Sequence, residues 1–139
     1  MFKRIVYATD GSEHAKKALA YVRDIARQRE AAVIIVHAYP PLADLKSFGD
    51  YDEVIAHRTA QGLEVLNEAA RELADAGVDV EAELLEGPMA EAILRIAEVR
   101  EADLIVLGAR GKSSFEGLLL GSVSQKVIQH ADCPVLVVR

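Results

Sequence analysis

Two short glycine-containing stretches carry the clearest chemical signal in this chain. They are Gly108-Ala109-Arg110-Gly111 and, after nine intervening residues, Gly121-Ser122-Val123-Ser124. The first begins where the apolar run Leu104-Ile105-Val106-Leu107 stops; the second begins where an amphipathic pattern (Val123, Val127, Ile128, Ala131) starts. The glycines therefore fall on a strand-to-helix connection, the last pair at a helix N-terminus. There the backbone N–H groups point outward unpaired and the helix dipole favours an anion. Glycine also permits close approach of backbone to ligand and a positive φ, as a phosphate cradle requires. The ligand class this predicts is a nucleotide or another phosphorylated molecule. Gly121 and Ser122 would offer main-chain donors, Ser122 and Ser124 hydroxyls, and Arg110 and Lys112 local positive charge. The plain alternative for Ser122 is a helix N-cap, worth ~1 kcal/mol.

Other residues carry weaker signals. Asp10, in Asp10-Gly11-Ser12-Glu13, reads structurally as the start of a capping box with Glu13. Functionally it would hydrogen-bond a nucleotide or hold Mg²⁺ through water, because a bare carboxylate beside a triphosphate repels it. His37 ends an apolar run near the same region, where a packed, hydrogen-bonded histidine is the ordinary reading. His14, His57 and His130 lack metal-ligand spacing, and nothing near Cys133 argues for a reactive thiolate. Gly111-Lys112-Ser113 echoes the end of a Walker A loop, but that motif needs glycine where Val106 stands. The first connection lacks G-x-G-x-x-G, and no aspartate follows the third strand as a phosphoacceptor would require.

The bulk properties narrow the classes. At 139 residues the chain is one domain, 1–139, able to bury ~68–70% of its unfolded surface without staples. A net charge of −6 argues against nucleic acid, whose binding depends on clustered Lys and Arg. A phosphate ligand must then be attracted locally, against the overall field. The sole cysteine, Cys133, excludes an internal disulfide and suits a reducing cytoplasm. No signal peptide precedes Ile5 and no apolar run approaches the ~18 residues of a membrane span, so no membrane partner is expected.

The elements that must position these residues follow in order. Ile5-Val6-Tyr7-Ala8 and Val33-Ile34-Ile35-Val36 are continuous apolar runs, read as strands buried on both faces. A helix between them presents Ala15, Ala18, Leu19, Val22, Ile25 and Ala26. The segment from Pro41 to about Asp50 is the longest irregular loop, a lid or a surface loop. A long helix follows with Ala56, Ala60, Leu63, Leu66, Ala70 and Leu73 inward and Gly77 as its stop. In the third strand Val78, Val80, Ala82 and Leu84 alternate with Asp79, Glu81 and Glu83, as at a sheet edge wetted on one side. Gly87-Pro88 leads into a third helix, with Pro88 suited to its first turn. Leu104–Leu107 is strand four, and Pro134–Val138 strand five.

Strands alternating with helices imply an α/β fold: a doubly wound, five-stranded parallel sheet with helices on both faces and right-handed crossovers. Ligands in such sheets bind beyond the strands' carboxyl ends at the switch point. With strand order 3-2-1-4-5, that crevice lies between Thr9–Ser12 and Gly108–Ser124. The aliphatic fifth strand is then an unprotected edge, which predicts a homodimer through Pro134–Val138.

The glycine spacing, the opening Ile5-Val6-Tyr7-Ala8-Thr9-Asp10-Gly11-Ser12 and the close Asp132-Cys133-Pro134-Val135-Leu136-Val137-Val138 resemble the ATP-binding branch of the universal stress protein family. The segment from Gly87 to Gly108 resembles it as well. The resemblance implies a Rossmann- or flavodoxin-like fold holding ATP with Mg²⁺ or Mn²⁺, often as a dimer through the last strand. Carried over by position, Ala8, Thr9 and Asp10 line the nucleotide and Ala38 meets adenine through its backbone. Leu107 and Gly108 lie near the ribose, Arg110 and Gly111 near the phosphates, and Gly121, Ser122, Val123 and Ser124 complete the cradle. Two functional classes follow: a nucleotide-binding stress or regulatory module with an unidentified protein partner, or a slow ATPase or phosphoryl or nucleotidyl transferase. No base stands out for hydrolysis, so the binding module leads.

Overall fold

The computed structural model describes residues 1–41, 51–111 and 119–139. Its elements are β1 (Arg4–Ala8), α1 (Glu13–Arg29), β2 (Ala32–Tyr39), α2 (Tyr51–Asp75), β3 (Asp79–Glu86), α3 (Met89–Val99), β4 (Leu104–Gly108), α4 (Ser122–His130) and β5 (Val135–Val138). The strands form one five-stranded sheet in the order β3-β2-β1-β4-β5, every pairing parallel. This is the α/β doubly wound sheet expected from the sequence. The loop expected from Pro41 to Asp50 lies, after Pro41, outside the described residues, as does Lys112.

The continuous apolar runs are explained by burial on both faces. Ile5 and Tyr7 of β1 point into a core with Ala18, Leu19 and Val22 of α1 and Leu66, Ala69 and Leu73 of α2. Val6 and Ala8 point the other way, into a core with Ile93 and Ile96 of α3 and Val127 of α4. A strand covered by helices on both sides has no polar face to show, so its alternation disappears. β3 keeps its charges because it is an edge, and Arg100, the C-cap of α3, pairs with Glu81 and, at 3.8 Å, with Glu83. β5 is the other edge; Val135, Leu136 and Val137 are half-buried and only Val138 is buried.

The inward face of α2 differs from the expected stripe. Leu66 and Leu73 are buried and Ala70 packs against the core, but Ala56 and Ala60 are exposed and Leu63 is 46% exposed. The helix instead turns Gly62 and Ala69 inward with Leu66 and Leu73. A Cβ at Gly62 would lie 3.1 Å from His37 Cδ2 and closer still to Leu84 Cδ1, so glycine brings α2 down onto β2 and β3. A hydrophobicity pattern passes over a glycine, and so places the stripe one position off. Likewise Ile128 of α4 is 45% exposed while Ser124 takes the inward position beside Val127. Pro88 is the N-cap of α3, one residue before its first turn.

Candidate functional site

β1 and β4 are neighbours, and their connections leave toward opposite faces of the sheet. The mouth between them is therefore the switch point. On one side a narrow cavity of about 80 Å³ is lined by Ala8, Asp10, Leu107, Gly108, Arg110, Gly111 and Gly121 through Ser124. Met89 and Ile93 of α3 contribute its apolar wall. On the other side a cleft of about 590 Å³ between α1 and α2 is lined by Thr9, Asp10 and Ala38, with Lys16, His37, Tyr39, Arg58 and Gln61. Asp10 borders both. All twelve residues singled out for the site thus line one of two cavities that meet at one carboxylate.

The start of α4 is built as an open donor set. Gly121 is the N-cap, with extended backbone (φ −83°, ψ 173°) and no side-chain cap bond. Its own N–H is not offered to a ligand, contrary to the sequence expectation: it donates to Ala109 O at 2.7 Å. Nor is Ser122 the N-cap; it is the first helical residue and exposed. Ser124 is 2% exposed. Its hydroxyl faces protein, donating to Ala109 O (2.7 Å) and Gly121 O (3.0 Å). The N–H groups of Ser122, Val123 and Ser124 are the ones a helix cannot satisfy itself. Ala109, which the sequence does not single out, anchors the region: its carbonyl receives both bonds and its N–H donates to Val138 O at 2.7 Å.

The glycines of the β4 connection serve packing. A Cβ on Gly108 would lie 2.7 Å from His14 C and 2.8 Å from Ala15 N. The first turn of α1 therefore crosses directly over the end of β4. A Cβ on Gly111 would overlap Asp10 Oδ2. The φ of Gly121 is one that any residue adopts, so no left-handed backbone is needed at the α4 N-cap.

Asp10 does not cap α1, as the capping-box reading would have it. Ser12 is the N-cap and accepts from Ala15 N at 3.3 Å, while Asp10 Oδ1 accepts from Ser12 N at 2.9 Å. This turn fixes the carboxylate at the mouth. Thr9 is 3% exposed; its N–H donates to Val36 O at 3.0 Å and its Oγ1 accepts from Gly11 N at 3.1 Å. His37 Nδ1 lies 2.7 Å from Thr9 O, and since a carbonyl only accepts, Nδ1 carries the proton. This is the packed histidine the sequence suggested.

Arg110 Nη2 lies 3.1 Å from His14 Nε2. Burial, then Arg110 and Lys17, lower the His14 pKa below its ordinary value, with Asp10 opposing. Tyr7, beneath the mouth, donates to Ala15 O at 2.6 Å. Its burial pushes the phenol pKa up to about 12. Burial and then Asp103 and Asp132 raise the Cys133 thiol, so it is not an activated thiolate. Among the described residues no cluster of three or more His, Cys, Asp or Glu is arranged to hold a metal. No helix among them is long and apolar enough to cross a membrane.

Lys16, Tyr39, Arg58 and Gln61 are lining residues that sequence reasoning missed. The available signal was polar residues on α1, at the end of β2 and along α2, which alone do not distinguish a cleft from a solvated face. Arg58 Nη1 is buried with no hydrogen-bond partner.

Comparison with known proteins adds an independent line. The sequence model of the universal stress protein family matches residues 1–139. A universal stress protein from Thermus aquaticus is 45% identical over the full length of both chains. The solved structure of MJ0577 superposes with a TM-score of 0.91 at 33% identity, covering 99% of this chain and 96% of that one. A universal stress protein solved in complex with cAMP gives 0.74 at 30% identity, covering 99% and 97%. One from Archaeoglobus fulgidus in complex with dAMP gives 0.73 at 25% identity, covering 100% and 98%.

Proposed function

The chain belongs to the universal stress protein family, and we propose that it is a nucleotide-holding regulatory module that binds ATP with Mg²⁺ or Mn²⁺ across the mouth between β1 and β4. The observation that carries this reading is the pair of cavities joined at Asp10. The narrow one, floored by the open N–H groups of Ser122, Val123 and Ser124, has the size and polarity for phosphate. The wide one has the ~300–1,000 Å³ of an ordinary ligand pocket and takes the base. Thr9 and Ala38 border the base; Ala8, Leu107 and Gly108 lie beside the ribose; Arg110 and Gly111 approach the phosphates with Gly121 through Ser124. The adenine nucleotides named with two solved relatives support the ligand class.

The donor set fits a metal carried by the nucleotide. A divalent ion of this kind keeps several waters and is held by phosphates with one or two carboxylates, and Asp10 supplies one through water. When bound, the ion neutralises phosphate charge beside that carboxylate. Arg110 and the α4 terminus then hold the remaining charge locally, against the net −6 of the chain.

In this reading the module acts in the cytoplasm as a homodimer through Pro134–Val138, and occupancy changes the surface offered to a protein partner. Support for the dimer is the half-buried aliphatic edge of β5, paired within the described residues only to β4.

Mass spectrometry of ligand released by denaturing freshly purified protein tests the reading, with calorimetric titration of ATP and Mg²⁺ into nucleotide-free protein. Intact ATP and micromolar binding are expected. No binding at millimolar ATP would end it. Phosphate release over many equivalents of ATP would replace the holding role with an enzymatic one.

A further inference from the structure

Arg110 and His14 are 96 positions apart in the chain and meet at 3.1 Å. A guanidinium only donates, so the contact requires a bare Nε2 and a neutral ring with its proton on Nδ1. That Nδ1 is buried with no hydrogen-bond partner. A solvated rotamer would satisfy both nitrogens, so the ring holds this position at the loss of one of its own bonds. Gly108 makes the position accessible. A Cβ there would lie 2.8 Å from His14 Cβ, and without one the first turn of α1 reaches the β4 connection. His14 is absent from the lining of both cavities, whereas Arg110 lines the narrow one. The direct contact route from His14 to a ligand there is therefore the arginine.

We propose that His14 is a positioning residue whose neutral imidazole helps to hold the Arg110 guanidinium at the phosphate end of the mouth, so that protonating His14 repels Arg110 and weakens nucleotide binding. The inference rests on the nucleotide reading above. The charged groups acting on the ring are Arg110 from the β4 connection, Lys17 from α1 and Asp10 from the β1 connection. Burial, and then two cations against one carboxylate, disfavour the imidazolium, which places the neutral, holding form at neutral pH and its loss on the acid side. Once charged, Nε2 becomes a donor facing a donor, and the contact turns repulsive.

Calorimetric titration of ATP with Mg²⁺ between pH 5.5 and 8 tests this on the parent, His14→Gln, His14→Ala, Arg110→Gln and the double variant His14→Ala/Arg110→Gln. At pH 7.5 His14→Ala weakens binding roughly tenfold, the worth of one charge-assisted hydrogen bond. His14→Gln, whose amide oxygen accepts in place of Nε2, keeps most of the affinity. As pH falls the parent loses affinity relative to His14→Gln, a comparison that cancels the ionisation of ATP itself. The double variant is no weaker than Arg110→Gln alone. Parallel pH profiles for parent and His14→Gln overturn the inference. So does a parent that binds more tightly in acid than His14→Gln, which would make His14 a phosphate cation in its own right. NMR titration of the His14 ring without nucleotide separates this from the ligand question. Arg110→Gln raises its pKa if the two groups meet, and an unmoved value overturns the contact. A parent that binds no ATP removes the nucleotide reading and the phosphate half of this inference, while the NMR shift still decides the coupling.

Discussion

Two helices begin beyond adjacent strands at the same end of the sheet, and they begin in opposite ways. The start of α1 is closed by its own sequence. Ser12 accepts from Ala15 N, Asp10 accepts from Ser12 N, and the Tyr7 hydroxyl donates to Ala15 O. The start of α4 has Gly121 at the cap with no side-chain bond, and the Ser124 hydroxyl is turned back onto Ala109 O and Gly121 O. The same four orphan N–H groups exist at any helix start. At α1 side chains take the N–H groups of Ser12 and Ala15, whereas at α4 the cap side chain takes none, and donors left toward a cavity suit an anion. The glycine motif marks both ends of this contrast, because Gly108 lets the closed helix cross β4 while Gly121 leaves the other one open.

Gly108→Val tests the contrast most severely. Its side chain would drive into the backbone of His14 and Ala15, costing more than ~3 kcal/mol and displacing both walls of the mouth. Denaturant unfolding measures the first effect and nucleotide titration the second. A stable protein with intact binding would show that the crossing is not tight.

The Tyr7 lock should appear as an alkaline dependence. Its pKa is raised from 10.0 to about 12 in the fold. The stabilisation is therefore complete below about pH 10 and is lost as pH rises through 12, by up to roughly 2.5 kcal/mol. Tyr7→Phe should be insensitive to pH over that window relative to the parent. Equal alkaline losses in both would remove Tyr7 as the cause.

Closing the open helix is the sharper comparison. Gly121→Ser supplies an N-cap oxygen that takes the N–H of Val123 or Ser124, and nucleotide affinity should fall roughly tenfold while stability moves by only a few tenths of a kcal/mol. Opening the closed helix should do the reverse. Ser12→Ala should cost ~1 kcal/mol of stability and lower affinity less than Gly121→Ser does. Thermal melts beside titrations of the same samples separate the two, and equal affinity losses would erase the distinction.

The order of strands and the location of the mouth were legible in the residues. Ile5–Ala8, Val33–Val36 and Leu104–Leu107 are apolar without alternation because both their faces are covered, and the alternating charges of Asp79–Glu83 mark an edge. Alternation of strand with helix then leaves few right-handed topologies, and the glycine connections fall at the switch point of the one observed. Local chemistry and periodicity suffice for this because neighbours in sequence determine them. The tertiary structure alone decided which glycine packs and which opens a helix, that α2 turns on Gly62 rather than Leu63, and that His14 meets Arg110. Those outcomes depend on close approach between segments far apart in the chain, and the space one backbone leaves for another is not written in either segment by itself.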